Sequence, residues 1–240
     1  PDDTRRADAL CAVEPAAPWS IIAITFTNKA ANEMKERLSN LLGPQAQDIW
    51  AMTFHSACCR ILRRDIERMG FTRSFTIYDS SDSERIMKEI IKDMELDDKT
   101  FPAKYVLGAI SREKDKMVSP GEMLDRAERT GDIRAQHIAR AYGKYQTRLN
   151  RIAKVYEKYA QKLRAANALD FDDIIYITVQ LLQQNEYVLQ YYQRKFRYVL
   201  VDEYQDTNHM QYLLTSLLAG GHENICVVGD DDQSIYRFRG

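Results

Sequence analysis

Short apolar runs recur along the chain where buried strands are favoured. Two of them, Ile21–Phe26 and Ile49–Phe54, are rich in β-branched and aromatic side chains. A shorter run, Phe75–Tyr78, follows, and strand character returns only at Tyr198–Val201 and Ile225–Val228. The pattern therefore predicts three strands near the start of the chain and two near its end.

Helical periodicity fills the intervals between these strands. Lys29–Leu38 places its apolar side chains on one face, and a second helix is predicted over Ala57–Met69 with His55-Ser56 as its cap. A further helix, Met210–Leu218, separates the last two strands. Strands that alternate with helices are typical of a parallel α/β sheet.

The middle of the chain has a different character. Residues 82–165 contain no convincing strand, and their apolar residues form helical stripes such as Ile86, Ile90 and Met94. We therefore predict an α/β domain formed by residues 19–81 and 166–240, with residues 82–165 as an all-helical insertion. Residues 1–18 are expected to be a lead-in to the first strand.

Composition narrows the class of protein. Hydrophobic residues make up 45% of the chain, which excludes compositional disorder, and the net charge of -1 excludes a global basic field. The four cysteines form no C-x-x-C pair, so neither a zinc site nor disulfides are expected and a cytoplasmic location is favoured. No apolar run approaches the ~20 residues that a membrane span needs, so no membrane partner is expected.

The first candidate for chemistry is a pair of carboxylates. Asp202 and Glu203 follow the predicted strand Tyr198–Val201 directly. At the carboxyl end of a parallel strand, the first carboxylate can hold Mg²⁺ and the second can polarise an attacking water. The alternative is that both carboxylates cap the following helix, whose amino end favours negative charge.

A second candidate follows the last predicted strand. Asp230–Asp232 come immediately after Val227-Val-Gly229, and Gln233, Tyr236 and Phe238 come next. Gln233 is suited to sensing a terminal phosphate, and aromatic side chains stack on the bases of single-stranded nucleic acid. The alternative is an aromatic core pair beside a solvated acidic turn.

Two strand-to-helix turns form the third candidate. Thr25-Phe-Thr-Asn-Lys29 and Thr53-Phe-His-Ser56 each carry hydroxyl and amide groups at a predicted helix start. Such turns are apt for phosphate contacts. Simple helix capping, by Thr27 or Asn28 in the first turn, explains them equally well.

These segments, taken in order, resemble the superfamily 1 DNA helicases of the UvrD/PcrA/Rep type. The resemblance covers about Trp19 to Gly240. It rests on segments similar to motifs Ia and Ib, a segment ahead of the Walker B strand, and motifs II and III: Ala23–Ala31, Thr53–Ser56, Leu169–Asp173, Val201–Asn208 and Val228–Gly240. It implies an incomplete RecA-like P-loop NTPase subdomain, 1A, with residues 82–165 as the helical subdomain 1B.

The resemblance also implies roles for individual residues. Asp202 would assist Mg²⁺, Glu203 would activate the attacking water, and Gln233 would couple the γ-phosphate of ATP to the DNA site. The residues implied in DNA binding are Thr25, Phe26, Asn28, Thr53, His55, Tyr236, Phe238 and Arg239. Phe238 departs from the tryptophan common in the family. Basic residues of the insertion, Lys144, Arg148, Arg151, Lys154 and Lys158, are either duplex contacts or a solvated helix face.

The phosphate-binding loop is the main departure from the family. A Walker A loop reads G-x-x-x-x-G-K-[ST], but residues 2–18 contain no glycine and Gly143-Lys144 is followed by Tyr145. The expectation is a helicase fragment that lacks Walker A and the 2A and 2B domains. Alone, it would bind ATP and Mg²⁺ weakly or not at all.

The parent protein implied by the resemblance is an ATP-dependent 3′–5′ helicase of DNA repair or replication. It would act on single-stranded DNA and duplex junctions, in the cytoplasm of a bacterium and associated with its nucleoid. Two alternatives stay open. One is an AddA/RecB-type nuclease-helicase, and the other is a DNA- or protein-binding module without catalysis.

Overall fold

The computed structural model describes residues 15–129 and 139–230, with side chains described over residues 15–128 and 148–230. The chain divides into two compact units. The first contains the residues up to Ala57, Glu186–Thr207, and the residues from Thr215 onward; the second contains Cys58–Asn185 and Asn208–Leu214. These boundaries fall at residues other than the predicted domain boundaries, so the domain assignment stays a prediction.

A four-stranded parallel sheet organises the first unit. Its strands are β1 (Ile21–Thr25), β2 (Trp50–Thr53), β5 (Tyr198–Val201) and β6 (Ile225–Val227), in the spatial order β2-β1-β5-β6. The central strand β1 is the most deeply buried, and its alternate residues Ile22 and Ile24 are fully enclosed. The structure therefore confirms the predicted α/β class with a parallel sheet.

The first helix of this unit begins at a capping threonine and ends at a glycine. Helix α1 (Asn28–Leu42) starts at Thr27, whose hydroxyl accepts a bond from the backbone N–H of Ala30 at 3.1 Å. It ends at Gly43, which has a positive φ of 64° that favours glycine. Helix α8 (Glu186–Lys195) leads into β5, and Trp50 of β2 packs edge-on against Phe196 with ring centroids 4.8 Å apart.

The second helix begins earlier than the sequence pattern indicates. Helix α2 runs over Phe54–Asp65 and is followed by a 3₁₀ turn, Ile66–Met69. The predicted cap, His55-Ser56, is wrong, because both residues lie inside the helix. The cap is Thr53, whose hydroxyl accepts a bond from the Ser56 N–H at 3.2 Å.

The second unit is mainly helical. Its helices include α3 (Ser80–Asp93), α4 (Ala103–Asp115), α5 (Pro120–Arg129), α6 (Ala139–Ala165) and α7 (Phe171–Gln184). They enclose an apolar core of residues from α3 to α6, including Met87, Ile90 and Val106. Over the described residues of 82–165 every regular element is a helix, as the sequence predicts.

The third predicted strand belongs to the second unit. Strand β3 (Thr76–Ile77) does not extend the large sheet; it pairs in parallel with β4 (Ala168–Leu169). Asn167, which precedes β4, accepts a bond from the N–H of Thr72 at 2.8 Å and closes this small sheet. Helix α9 (His209–Ala219) lies between β5 and β6 in the chain. None of the described helices is long and apolar enough to cross a membrane.

Candidate functional site

The carboxyl ends of all four strands of the large sheet meet at one edge. The register pairs Thr25 with Thr53 and pairs Val201 with both Ile24 and Val227. Because the strands are parallel, the residues that follow each strand emerge on the same side, which is where α/β sheets bind ligands. The predicted site residues that follow Thr25, Thr53 and Val201 are thus brought to the same edge. They are Phe26, Asn28, His55, Asp202 and Glu203.

Asp202 and Glu203 extend β5 into this edge. The backbone N–H of Asp202 still bonds to the carbonyl of Ile24, at 2.9 Å, so Asp202 is held as a continuation of the sheet. Glu203 then adopts a left-handed backbone with φ 52° and starts the 3₁₀ turn Tyr204–Asp206. A non-glycine residue in this conformation costs about 1 kcal/mol, and such strain clusters at functional sites.

Helix capping does not account for the two carboxylates. The side chain of Glu203 makes no capping bond to the turn that it begins. Helix α9 is instead capped by Asn208, whose side-chain oxygen accepts a bond from the Gln211 N–H at 2.9 Å. The carboxylates of Asp202 and Glu203 are therefore left for another role.

Gln205 connects this turn to the residues that follow β6. Its side-chain N–H₂ donates to Glu203 at 2.7 Å, and its side-chain oxygen accepts the backbone N–H of Asp230 at 3.1 Å. A parallel backbone bond joins the Tyr204 N–H to the carbonyl of Val228 at 2.9 Å. No role for Gln205 could be predicted from its residue type; the only sequence signal is its position inside the motif II segment, Val201–Asn208.

The turn after β1 combines capping with an exposed polar surface. Thr27 caps α1, as the alternative of simple helix capping predicts. Asn28 is exposed at the first helical position. Phe26 is half-buried, with its ring centroid 5.2 Å from that of Phe54. Helix capping and a DNA contact are compatible at this turn, because capping by Thr27 leaves Phe26 and Asn28 accessible.

His55 lies in the first turn of α2 and carries no charge near neutral pH. Burial lowers its pKa to about 4, because the charged imidazolium loses hydration there. Next to it, the hydroxyls of Thr53 and Ser56 are 2.9 Å apart. In the chain without DNA, His55 is therefore a neutral hydrogen-bonding group near pH 7 and not a cation.

Accessibility separates the predicted DNA-contact residues into two groups. Thr25 is only 1% exposed and Thr53 only 6% exposed. Phe26 and His55 are half-buried and Asn28 is exposed. Gln233, Tyr236, Phe238 and Arg239 lie outside the described residues.

The acidic residues at the strand ends fit a magnesium ion held with a nucleotide. Over the described residues, no group of three or more His, Cys, Asp or Glu side chains forms a metal site. Mg²⁺ bound with a phosphate needs only one or two carboxylates. Asp202, which is half-buried at the end of β5, is the candidate ligand, with the Glu203 carboxylate beside it.

In the second unit, the predicted basic face of α6 is partly engaged in packing. Arg148 donates to the carbonyl of Thr100 at 3.2 Å, and its guanidinium lies 4.4 Å from the Tyr105 ring centroid. Lys154 and Lys158 are exposed, whereas the side chain of Lys144 lies outside the described residues. Arg148 therefore serves packing within the unit, and Lys154 and Lys158 are left accessible.

A comparison with known proteins agrees with this geometry. The UvrD/REP helicase N-terminal domain family matches residues 4–240. The match begins at residue 4, upstream of Trp19.

Individual relatives give the same result. The chain is 48% identical over 237 residues to a protein of Bacillus subtilis (strain 168) named ATP-dependent DNA helicase PcrA. It is 45% identical to proteins of the same name from Staphylococcus aureus (strain Mu50) and Staphylococcus epidermidis. Each alignment covers 99% of this chain and 30% of the relative. The chain thus belongs to the UvrD/REP helicase family and corresponds to its N-terminal domain.

Proposed function

We propose that this chain supplies the Walker B half of an ATP-driven DNA helicase motor. The observation that carries the proposal is the position of Asp202 and Glu203, which follow the half-buried parallel strand β5 at the sheet edge where the ends of β1, β2 and β6 also lie. Relatives that span this whole chain are named ATP-dependent DNA helicases, which supports the same activity here.

In this proposal each acidic residue has one task. Asp202 holds Mg²⁺, directly or through water, and the ion supplies charge that stabilises the phosphoryl group during transfer. Glu203 orients and polarises the water that attacks the terminal phosphate of ATP. Gln233 links the nucleotide to the DNA site.

Single-stranded DNA would lie along the turns after β1 and β2 and along the residues after β6. Phe26 offers a partly exposed ring, and Asn28 and His55 offer neutral polar groups. The proposed DNA contacts also include Tyr236, Phe238 and Arg239, together with the backbone of the turns that begin at the buried Thr25 and Thr53. The exposed Arg151, Lys154 and Lys158 are the α6 residues that we propose to contact a duplex junction.

The movement that we propose is 3′–5′ translocation on single-stranded DNA, at the bacterial nucleoid, in DNA repair or replication. It requires a phosphate-binding loop and a second motor domain as intramolecular partners. The 240-residue chain contains no G-x-x-x-x-G-K-[ST] segment. We therefore expect the isolated chain to bind ATP weakly and to hydrolyse almost none.

The test is ATP turnover by the full-length protein with Mg²⁺, with and without a poly-dT oligonucleotide. Glu203→Gln should lower DNA-stimulated turnover at least about a hundredfold while ATP binding is retained, because only the group that activates water is lost. Glu186→Gln is the matched control, since Glu186 is an exposed glutamate of α8 that also accepts a glutamine bond, from Gln190 at 2.8 Å. Turnover that does not respond to DNA, or that survives in Glu203→Gln, contradicts the proposal.

A further inference from the structure

Gln205 lies between two segments to which the proposed function gives separate tasks. One is the turn that carries Glu203, and the other begins at Gly229-Asp230 and continues to Gln233. The side-chain amide of Gln205 bonds to both, at 2.7 Å to Glu203 and 3.1 Å to the backbone of Asp230. All of these residues belong to the first unit.

The chemistry of this bridge favours a glutamine. The Glu203 carboxylate only accepts hydrogen bonds, and the Asp230 backbone N–H only donates. A side chain that joins the two must therefore donate at one atom and accept at another, which among long side chains is the property of an amide. Glutamate at position 205 would keep the acceptor and lose the donor, and leucine would lose both.

The Gln205 side chain lies where a side chain at position 229 would otherwise be, and position 229 is a glycine. A Cβ atom added to Gly229 would lie 2.6 Å from the Gln205 side-chain oxygen. No other described residue would approach that added atom more closely. Gly229 thus lets the amide reach the Asp230 N–H.

The bridge also acts on a strained residue. Glu203 has a left-handed backbone, with φ 52°. The surrounding contacts hold this conformation, including the bond from the Asp206 N–H to the Glu203 carbonyl at 3.0 Å. Gln205 adds the contact that fixes the carboxylate itself.

We propose that Gln205 is a positioning residue for ATP hydrolysis: it holds the Glu203 carboxylate in place and makes that position depend on the backbone of Gly229-Asp230. The inference rests on the proposed function of Glu203 as the group that activates water. A shift of the Gly229-Asp230 backbone would release the amide and leave Glu203 less well oriented. In this proposal, movement of the segment that leads to Gln233 therefore also changes the orientation of the Glu203 carboxylate.

The experiment measures steady-state ATP hydrolysis by the full-length protein at saturating poly-dT. Gln205→Leu removes both bonds and should lower kcat about ten- to a hundredfold with little change in KM for ATP, since misplacing a reacting group affects the chemical step. Gln205→Glu places a second carboxylate against Glu203. Its kcat should fall as well, and the acidic limb of its kcat–pH profile should move to higher pH, because carboxylates in contact share a proton.

Gln190→Leu is the matched control. It removes a bond of the same kind, from a glutamine amide to a glutamate, on helix α8 of the same unit. It should leave kcat, KM and the pH profile unchanged. Thermal melting of every variant separates a loss of positioning from a loss of folding, and a fall in kcat with an unchanged KM for ATP is a readout that a merely structural role would not produce.

The outcomes distinguish the inference from the function on which it rests. If wild-type turnover depends on DNA and on Glu203, but both Gln205 variants hydrolyse ATP at the wild-type rate and with its pH profile, the inference alone is overturned. If the wild-type protein shows no DNA-stimulated hydrolysis, or Glu203→Gln retains it, the proposed function is overturned and the inference with it. Loss of kcat in both variants with an intact Gln190→Leu control supports the proposal.

Discussion

Lys114 donates to both carboxylate oxygens of Asp170, at 2.9 and 2.8 Å, from a position where only 2% of its surface is exposed. The same ammonium lies 2.7 Å from Asp173, and the Tyr159 hydroxyl donates to Asp170 at 3.0 Å. This buried cluster joins α4 and α6 to the start of α7. Its two aspartates belong to the Leu169–Asp173 segment, so this part of the family resemblance corresponds to a structural cluster in the second unit.

The first prediction concerns removal of the cation from this cluster. Lys114→Met should destabilise the folded chain by about 3–5 kcal/mol, because it leaves Asp170 and Asp173 buried without a positive partner. Burial alone would lower the pKa of Lys114, but the charges of Asp173 and Asp170 hold that pKa well above its usual range. The measurement is urea unfolding at pH 8, where the Asp173 carboxylate is charged, followed by far-ultraviolet circular dichroism.

Lys88→Met is the control for this prediction. Lys88 makes an exposed ion pair with Glu84, at 2.7 Å on helix α3 of the same unit. Solvent screens such pairs, so the unfolding midpoint should hardly move. Equal midpoints for the two variants would mean that the buried cluster does not stabilise the unit.

A second prediction concerns the pH dependence of stability. Burial, and after it the charge of Asp170, raises the pKa of Asp173 to about 7 from its ordinary value of 3.8. Between about pH 4 and pH 7, the folded chain therefore holds a proton that the unfolded chain has released. The contribution of Asp173 to stability falls as pH rises through this window, with a slope on the order of 1 kcal/mol per pH unit.

Asp173→Asn tests this slope. The variant has no titrating group at position 173, so its stability relative to wild type should increase between pH 5 and pH 7.5 in parallel urea unfolding experiments. Asp170 does not mask the effect: burial would raise its pKa, but Lys114 holds that pKa below its usual range, so its contribution is lost only in more acidic solution. A constant difference between the two proteins across this range would show that Asp173 titrates normally.

Periodic segments of the fold could be predicted from sequence, and segments without periodicity could not. The sequence predicts β1 and β2 to within one residue at each end, because each lies in a short apolar run rich in β-branched and aromatic side chains. Helix α7 was not predicted: nine of its fourteen residues are buried, among them Ile174, Ile175 and Val179, so no polar face marks it as a helix. Strand β3 lies inside the predicted run Phe75–Tyr78, whereas the two-residue strand β4 is too short to leave a pattern.

In the candidate site too, the residues that follow a strand could be predicted from the sequence, whereas contacts between distant residues could not. Asp202 and Glu203 follow a strand, so their location required only the strand and its direction. The role of Gln205 depends on an amide reaching a residue 25 positions away. Likewise, the bond between Lys114 and Asp170 joins residues 56 positions apart. Such pairings are set by tertiary packing and leave no local signal in the sequence.

A third prediction concerns His55 and DNA. Because burial lowers the pKa of His55 to about 4, the imidazole is neutral at pH 7.5 and releases no counterion when DNA binds. His55→Gln should weaken poly-dT binding by roughly 1 kcal/mol, the order of one hydrogen bond, and leave the slope of log Kd against log salt unchanged. Fluorescence anisotropy across a salt series measures both quantities.

The salt slope decides this prediction. A charged histidine in contact with a phosphate would contribute about 0.7 to the slope for single-stranded DNA, and its loss would flatten the plot by that amount. A flatter plot for His55→Gln at pH 7.5 would therefore show that the histidine is a cation in the complex. An unchanged slope with weaker binding agrees with a neutral contact.

The last prediction concerns the clearance that Gly229 provides. In Gly229→Ala the new methyl group would lie 2.6 Å from the Gln205 side-chain oxygen and 3.4 Å from the Gln205 backbone nitrogen. The backbone need not be strained, because the φ of Gly229 lies outside the left-handed region. The end of a flexible side chain yields more easily than the backbone, so the variant should fold while its Gln205 amide is displaced.

ATP turnover by the full-length protein should then fall about tenfold in Gly229→Ala, and not in the control Gly121→Ala, where nothing lies within 4 Å of the added atom. Gly229→Ala and Gln205→Leu break the same bridge, so the double variant should be no slower than Gln205→Leu alone. Multiplicative losses in the double variant would mean that the methyl group acts elsewhere. If the effects of the two variants on turnover are not additive, then Gly229 and the Gln205 amide act through the same contact with the Glu203 carboxylate. The first variant already breaks that contact, so the second has no further effect.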